Sequence, residues 1–165
     1  MTALLNHNTI METLEIECKK ALLLNMPLAI VMIDIDHFKQ VNDLYGHPVG
    51  DQVTMSLSNL LLERLRRVDK IGRYGGEEFM VILPNTTVAE AALVMEGLRV
   101  DFGSIVHYSE NGQPFQKTFS AGVVEFTTGL SSKALVGVAD KLLYHAKRNG
   151  RNQIHFSSGL HQLPC

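Results

Sequence analysis

An α/β fold of the α+β kind, with a central, mainly antiparallel sheet surrounded by helices, is what this sequence predicts, on three observations. Segments with apolar residues at helical spacing alternate with uninterrupted β-branched runs. Two such runs flank a Gly-Gly pair and read as a hairpin. No repeat, low-complexity tract or Gly/Ser linker interrupts the 165 residues. At roughly 100–200 residues per domain this length suits one domain, and it can bury about 70% of its unfolded-chain surface without staples. Residues 1–165 are therefore read as a single domain.

The first element is a helix. Leu14, Cys18, Ala21 and Leu22 recur at helical spacing through a segment that opens with glutamates and closes with lysines, as the helix dipole favours, and it ends near Asn25-Met26-Pro27. LAIVMIDID follows, a β-branched run of the kind buried on both faces, read as a central strand closed by Asp34 and Asp36. From Val49 to Arg67, Val53, Leu57, Leu60, Leu61 and Leu65 form a helical stripe. IGRYGGEEFMVILP reads as a hairpin closed by Pro84, with Gly75-Gly76 supplying the positive φ that two-residue hairpin turns require. Thr87 and Glu90 form a capping box for a helix to about Arg99. Ser104 to Phe126 alternates like further strands around a turn at Asn111-Gly112. Ser131 or Ser132 caps a helix carrying Leu135, Val138, Ala139, Leu142 and Ala146, stopped by Asn149-Gly150 before a short strand near Gln153 to Phe156.

Composition excludes several functions. With 15 basic and 17 acidic side chains the formal charge is −2, which opposes a binder that neutralises many phosphates of a nucleic-acid polymer but leaves a phosphorylated small molecule open. The longest apolar stretch, Leu28 to Ile33, falls far short of the roughly 20 residues that span a bilayer, so no membrane contact is expected. The N-terminus lacks the charged flank and apolar block of a signal peptide and carries three glutamates instead. Two cysteines, Cys18 and Cys165, give no disulfide framework, and the expected location is the cytoplasm. Walker-A, Rossmann, GxSxG, CxxC and HExxH patterns are absent.

The chemistry-bearing residues gather around a few motifs. Asp34 and Asp36 end a buried strand, where a carboxylate is costly unless solvated or paired, and a second acidic pair, Glu77-Glu78, follows the Gly-Gly turn. Carboxylates from two strand ends can hold Mg²⁺, which takes oxygen ligands and leaves room for substrate phosphates. Lys39 lies just beyond the aspartates, and Lys147, Arg148 and Arg151 cluster where the last helix ends, a place the dipole alone also makes favourable for cations. Asn42, Asp43 and Asp51 flank the YGHPVGD turn. An Asn with an Asp can read guanine, the carboxylate taking the N1 and N2 donors and the amide O6; singly, each is an ordinary turn or cap residue. His47 is the one histidine in such a neighbourhood.

IDIDHFKQVNDLYGHPVGD, RRVDKIGRYGGEEF, SAGV at Ser120 to Val123, and ADKLLYHAKRNGRN, in this order and spacing, resemble the GGDEF domain of diguanylate cyclases, with the signature written GGEEF. The resemblance covers nearly the whole chain and implies a fold like the palm of nucleotidyl cyclases and polymerases. It also implies a reaction in which two GTP condense to cyclic di-GMP with release of two pyrophosphates. By position, Asp34, the carbonyl of Ile35 and Glu77 would coordinate Mg²⁺, or Mn²⁺, with Glu78 near a second metal position. Glu77 would also help deprotonate the attacking 3′-hydroxyl, and Lys39 would offset charge at the reacting phosphate. Asn42 and Asp51 would read guanine beside His47. Lys147 and Arg151, with the N–H groups of His37 and Phe38, would hold the terminal phosphates. One domain holds one GTP, so the family's chemistry needs a second copy facing it in an antiparallel pair.

The family's product-inhibition motif, RxxD, is matched by Arg66-Arg67-Val68-Asp69, with Arg66 and Asp69 in the key places and cyclic di-GMP as the implied inhibitor. Some relatives add a second arginine from the next helix; here that position aligns with Gly97, with Arg99 nearby, so weaker inhibition is expected. TALLNHNTI resembles a truncated form of the family's opening motif, and SAGV replaces the more usual SIGV. The lost leading acid and the lack of a regulatory segment suggest a catalytic domain excised from a longer protein. The alternative is a non-catalytic receptor for GTP or cyclic di-GMP, which degenerate signature residues would favour.

Overall fold

The computed structural model describes residues 4–158; Cys165 and the first residues of TALLNHNTI lie outside them. The elements are α1 (His7–Leu24), β1 (Leu28–Ile35), α2 (Phe38–Tyr45), α3 (His47–Arg64), β2 (Lys70–Arg73), β3 (Glu78–Pro84), α4 (Val88–Ser104), β4 (His107–Tyr108), β5 (Pro114–Phe115), β6 (Phe119–Glu125), α5 (Ser132–Arg148) and β7 (Ile154–Ser158). Five strands form one sheet in the order β2-β3-β1-β6-β7, and β4 pairs with β5 apart from it. Every pairing is antiparallel except β6 with β7.

The unbroken apolar run of β1 has its reason in this order, because the strand is central and all eight of its residues are buried. Ala29, Val31, Ile33 and Ile35 join a core with Val53, Leu57 and Leu61 of α3 and Met95, Leu98 and Phe102 of α4. Leu28, Ile30 and Met32 point the other way, to Ile10, Leu14 and Cys18 of α1 and to Leu135, Ala139 and Leu142 of α5. The period of two along β1 thus puts Asp34 on the α5 side of the sheet.

Local signals end most elements where the sequence places them. Asn25 takes φ 52°, the left-handed cap that stops α1 ahead of Pro27. Leu22, however, is exposed, and Ile10 takes its place in the buried stripe. Thr87 and Glu90 form the capping box; α4 continues past Arg99 to Ser104, because Phe102 still has a core to fill. Ser131, rather than Ser132, caps α5 by accepting from Ala134 N. Leu5 lies along the exposed edge of β2, its N–H donated to Ile71 O and its carbonyl accepting from Arg73 N, which covers that edge.

The Gly-Gly hairpin differs from expectation. The ladder register ends at Arg73 and Phe79, Tyr74 N and Gly75 N then donate to Glu78 O at 2.8 and 3.2 Å, and neither Gly75 nor Gly76 takes a positive φ. The loop is braced instead by Arg73, whose guanidinium donates to Gly76 O at 2.5 Å and Gly75 O at 3.3 Å.

Gly122 sets how closely α5 lies on the sheet. A Cβ there would meet Ala139 O at 2.2 Å and Leu143 N at 2.5 Å, so the helix rests on bare strand backbone.

Candidate functional site

The end of β1 gathers the acidic residues. Asp34 faces Glu78 across β3 and Ser120 across β6, and the Ile35 N–H donates to Glu77 O at 3.2 Å. The close seat of α5 brings its last turn over this end, where Lys147 Nζ lies 2.5 Å from Asp34 Oδ2. Burial pushes the Asp34 carboxyl above its ordinary range, and the Lys147 hydrogen bond and charge pull it back. Burial and the charge of Asp34 likewise raise Glu77 and Glu78. Among the described residues no three His, Cys, Asp or Glu side chains converge on one cation position. The cation on Asp34 in this structure is the Lys147 ammonium.

Asp36 has a different job. At 3% exposed, its carboxylate accepts from Thr118 Oγ1 and Ser120 Oγ, both at 2.7 Å, and from Asn152 N at 3.0 Å. Those bonds tie β1 to β6 and to the turn after α5. There Arg151 and Asn152 take left-handed φ of 62° and 49°. Arg151 is exposed and its charge helps to lower the Asp34 carboxyl.

Just beyond Asp36 the chain turns through His37, at φ 54°, into α2. This short helix is absent from the sequence expectation. Phe38 is buried and pins its first turn, leaving Lys39 exposed beside it. The N–H groups at such a helix start have no intrahelical acceptor and suit an anion.

Between α2 and α3 the Asn42 side chain packs against the backbone of Gly50, where a Cβ would sit 1.9 Å from Asn42 Oδ1. Asn42 Oδ1 is buried and has no hydrogen-bond partner. A buried acceptor left unpaired costs stability. Asp51 and His47 are exposed on the first turns of the adjoining α3.

Arg66 and Asp69 lie elsewhere, near the Pro84 end of β3, about 20 Å along the strand from Glu78 at its usual rise per residue. Asp69 is buried and accepts from Arg66 N at 2.8 Å and from the guanidinium at 2.8 and 3.2 Å. Arg66 also donates to Pro84 O and Thr86 Oγ1, each at 2.9 Å. Gly97 is exposed with open space around it, and Arg99 is bound to Glu96 and Asn152.

The structure therefore unites Asp34, Glu77, Glu78 and Lys147, with Arg151 in electrostatic reach, and sets Asn42 beside the start of α3. Two contributors carry little local signal. Arg73 braces the acidic loop from two residues before the glycines, and Gly122 admits the helix that delivers Lys147.

A family profile described as Diguanylate cyclase, GGDEF domain, matches residues 1–153. The chain is 37% identical over 154 residues, 93% of its length, to diguanylate cyclase DgcP of Pseudomonas aeruginosa, and spans 23% of that longer protein. Its fold is similar to the GGDEF domain of DgcB from Caulobacter crescentus solved in complex with c-di-GMP, with a TM-score of 0.90 and 31% identity over 94% of this chain and 92% of that one. It is also similar to the active GGEEF domain of a diguanylate cyclase from Vibrio cholerae, with a TM-score of 0.88 and 32% identity over 98% of this chain and 100% of the other.

Proposed function

Because the chain belongs to the GGDEF family of diguanylate cyclase domains, we propose that it condenses two GTP into cyclic di-GMP and two pyrophosphates, using two copies of the domain in an antiparallel pair. The observation that carries this reading is the register of Asp34 with Glu78, with an ammonium already seated on Asp34.

The donor set suits a divalent ion. It consists of oxygens alone, and burial first, then the neighbouring charge of Asp34, raises the Glu77 and Glu78 carboxyls, a cost that a bound cation would offset. Asp34, the Ile35 carbonyl, Glu77 and Glu78 would hold Mg²⁺ or Mn²⁺. When bound, the ion acidifies the 3′-hydroxyl and stabilises charge on the α-phosphate. Glu77 accepts the hydroxyl proton. The 3′-oxygen bonds to the α-phosphorus of the facing GTP, and the bond from that phosphorus to the bridging oxygen breaks, releasing pyrophosphate. Lys39 offsets charge in the transition state. Lys147, Arg151 and the N–H groups of His37 and Phe38 hold the terminal phosphates. Asn42 and Asp51 read guanine beside His47, the Asp51 carboxylate taking the N1 and N2 donors and the Asn42 amide O6.

Incubation with GTP and Mg²⁺ over a range of protein concentrations should give cyclic di-GMP at a rate that rises faster than linearly with protein. Glu77→Ala and Asp34→Ala should abolish product while circular dichroism stays unchanged. Absence of product from a forced dimer would overturn the reading. Cyclic di-GMP would inhibit through Arg66 and Asp69. To bind there it must compete with the bonds Arg66 makes to Asp69, Pro84 and Thr86, so inhibition should be weak and weaker still in Arg66→Ala. An unchanged inhibition curve in that variant would remove the motif from regulation.

A further inference from the structure

The contact between Lys147 and Asp34 places two demands on one lysine. As a phosphate ligand it must reach outward, yet its Nζ lies 2.5 Å from Asp34 Oδ2, on the oxygen of the most buried carboxylate in the site. A cation already on that carboxylate repels a second one brought to it, so Lys147 and a metal ion each weaken the other's hold on Asp34. We infer that Lys147 is an internal counter-ion that fills the metal position on Asp34 until nucleotide phosphates draw it away, so that metal and nucleotide enter as a coupled exchange. The inference deepens the cyclase reading and rests on it.

Three features support exchange over a fixed strut. The Lys147 side chain is 31% exposed against 7% for Asp34, so the lysine side has room to move toward solvent and the aspartate side does not. Its partner contact is a single hydrogen bond at the end of a flexible four-carbon stem, whereas its backbone is fixed by the α5 contacts at Gly122 and by the buried Ala146 beside it. The side chain can therefore swing while the helix stays. The groups facing this ammonium are Asp34, Glu77, Glu78 and Asp140, all carboxylates, and Arg151 is the other cation acting on Asp34. Withdrawal of Lys147 leaves the metal ligands with unmet negative charge at the moment the nucleotide brings its ion. Coupling of this kind is reciprocal, so metal without nucleotide must bind weakly.

The test measures Mn²⁺ binding to nucleotide-free protein by the loss of the free-ion paramagnetic resonance signal. Lys147→Met and the polar Lys147→Gln should each bind Mn²⁺ at least about tenfold more tightly than the wild type, a gain of about 1.4 kcal/mol. Adding Asp34→Asn to Lys147→Met should abolish the gain. Circular dichroism checks the fold, and Lys147→Gln decides if the Met variant does not fold. Binding no tighter than wild type in the folded variants, or a gain that survives Asp34→Asn, overturns the exchange. No GTP or turnover enters the measurement, so it fails independently of the cyclase reading, which stands or falls on product formation by the wild type.

Discussion

Gly122→Ala should disable this domain from a position that touches no ligand. The added Cβ would lie 2.2 Å from Ala139 O and 2.5 Å from Leu143 N, where ordinary contact begins at 3.4 Å. Both atoms belong to helix backbone and cannot rotate away, so α5 must rise by about 1 Å. Lifting it loosens the packing of Leu135, Ala139, Leu142 and Leu143 on the sheet, and a radial gap of about 1 Å forfeits up to half of each affected dispersion contact. Overpacking costs about 1–3 kcal/mol, and two backbone clashes place this case near about 3 kcal/mol. Urea unfolding should show that loss as a lower midpoint at constant slope, and the thermal midpoint should fall by about 6–12 °C. Lys147 rides on the displaced helix, and a misplacement of about 1 Å near the chemistry costs on the order of a hundredfold in rate. A loss under about 1 kcal/mol with full activity would refute the close-approach reasoning.

Asp36→Ala should destabilise by about 2–4 kcal/mol in the same urea assay, because one buried carboxylate satisfies Thr118, Ser120 and Asn152; a change under about 1 kcal/mol would show that water replaces it. Gly50→Ala should leave the thermal midpoint within a few degrees but raise the KM for GTP, since the clash falls on the movable Asn42 carboxamide; an unchanged KM would remove Asn42 from guanine recognition. Burial, then the charges of Glu15 and Glu17, push the Cys18 thiol up to about 11. Iodoacetamide alkylation of that peptide at pH 8, followed by mass spectrometry, should therefore run more than about 100-fold below a denatured control, and matching rates would show a labile α1.

What the sequence made legible follows from how local each signal is. β1 could be read because burial on both faces leaves an unbroken apolar run, and α4 because its capping box is complete within four residues. α2 could not, since only Phe38 and Val41 of its eight residues are buried, a single helical repeat with no stripe to detect. The acidic loop departs from the two-residue turn that Gly-Gly predicts because Tyr74 and Gly75 both donate to Glu78 O and Arg73 reaches over the loop, none of which Gly-Gly encodes. Motif order points to the candidate residues along the chain, but the contacts that bring them together cross it. Lys147 meets Asp34 over 113 residues and Asn152 meets Asp36 over 116. No local pattern encodes such a distance; only the topology that lays α5 over β1 does.

Asp34 and Asp36 show what separates a site from a strut. They sit two residues apart at one strand end, both nearly inaccessible, and each must be compensated because a buried carboxylate left alone is costly. Asp36 is met by two hydroxyls and a backbone N–H, all held by β6 and the final turn. Such donors cannot leave without the sheet end coming apart. Asp34 is met by one ammonium on a flexible stem that is partly open to solvent, a partner that can leave while everything else stays. The near-neutral charge of the whole chain hides this distinction, since each carboxylate counts alike as one negative charge. Asp69 falls on the strut side of the same division, because Arg66 meets it with its own backbone N–H as well as its guanidinium. A ligand can compete for the guanidinium but not for the N–H, and for that reason control through Arg66 should be gradual where exchange at Asp34 is complete.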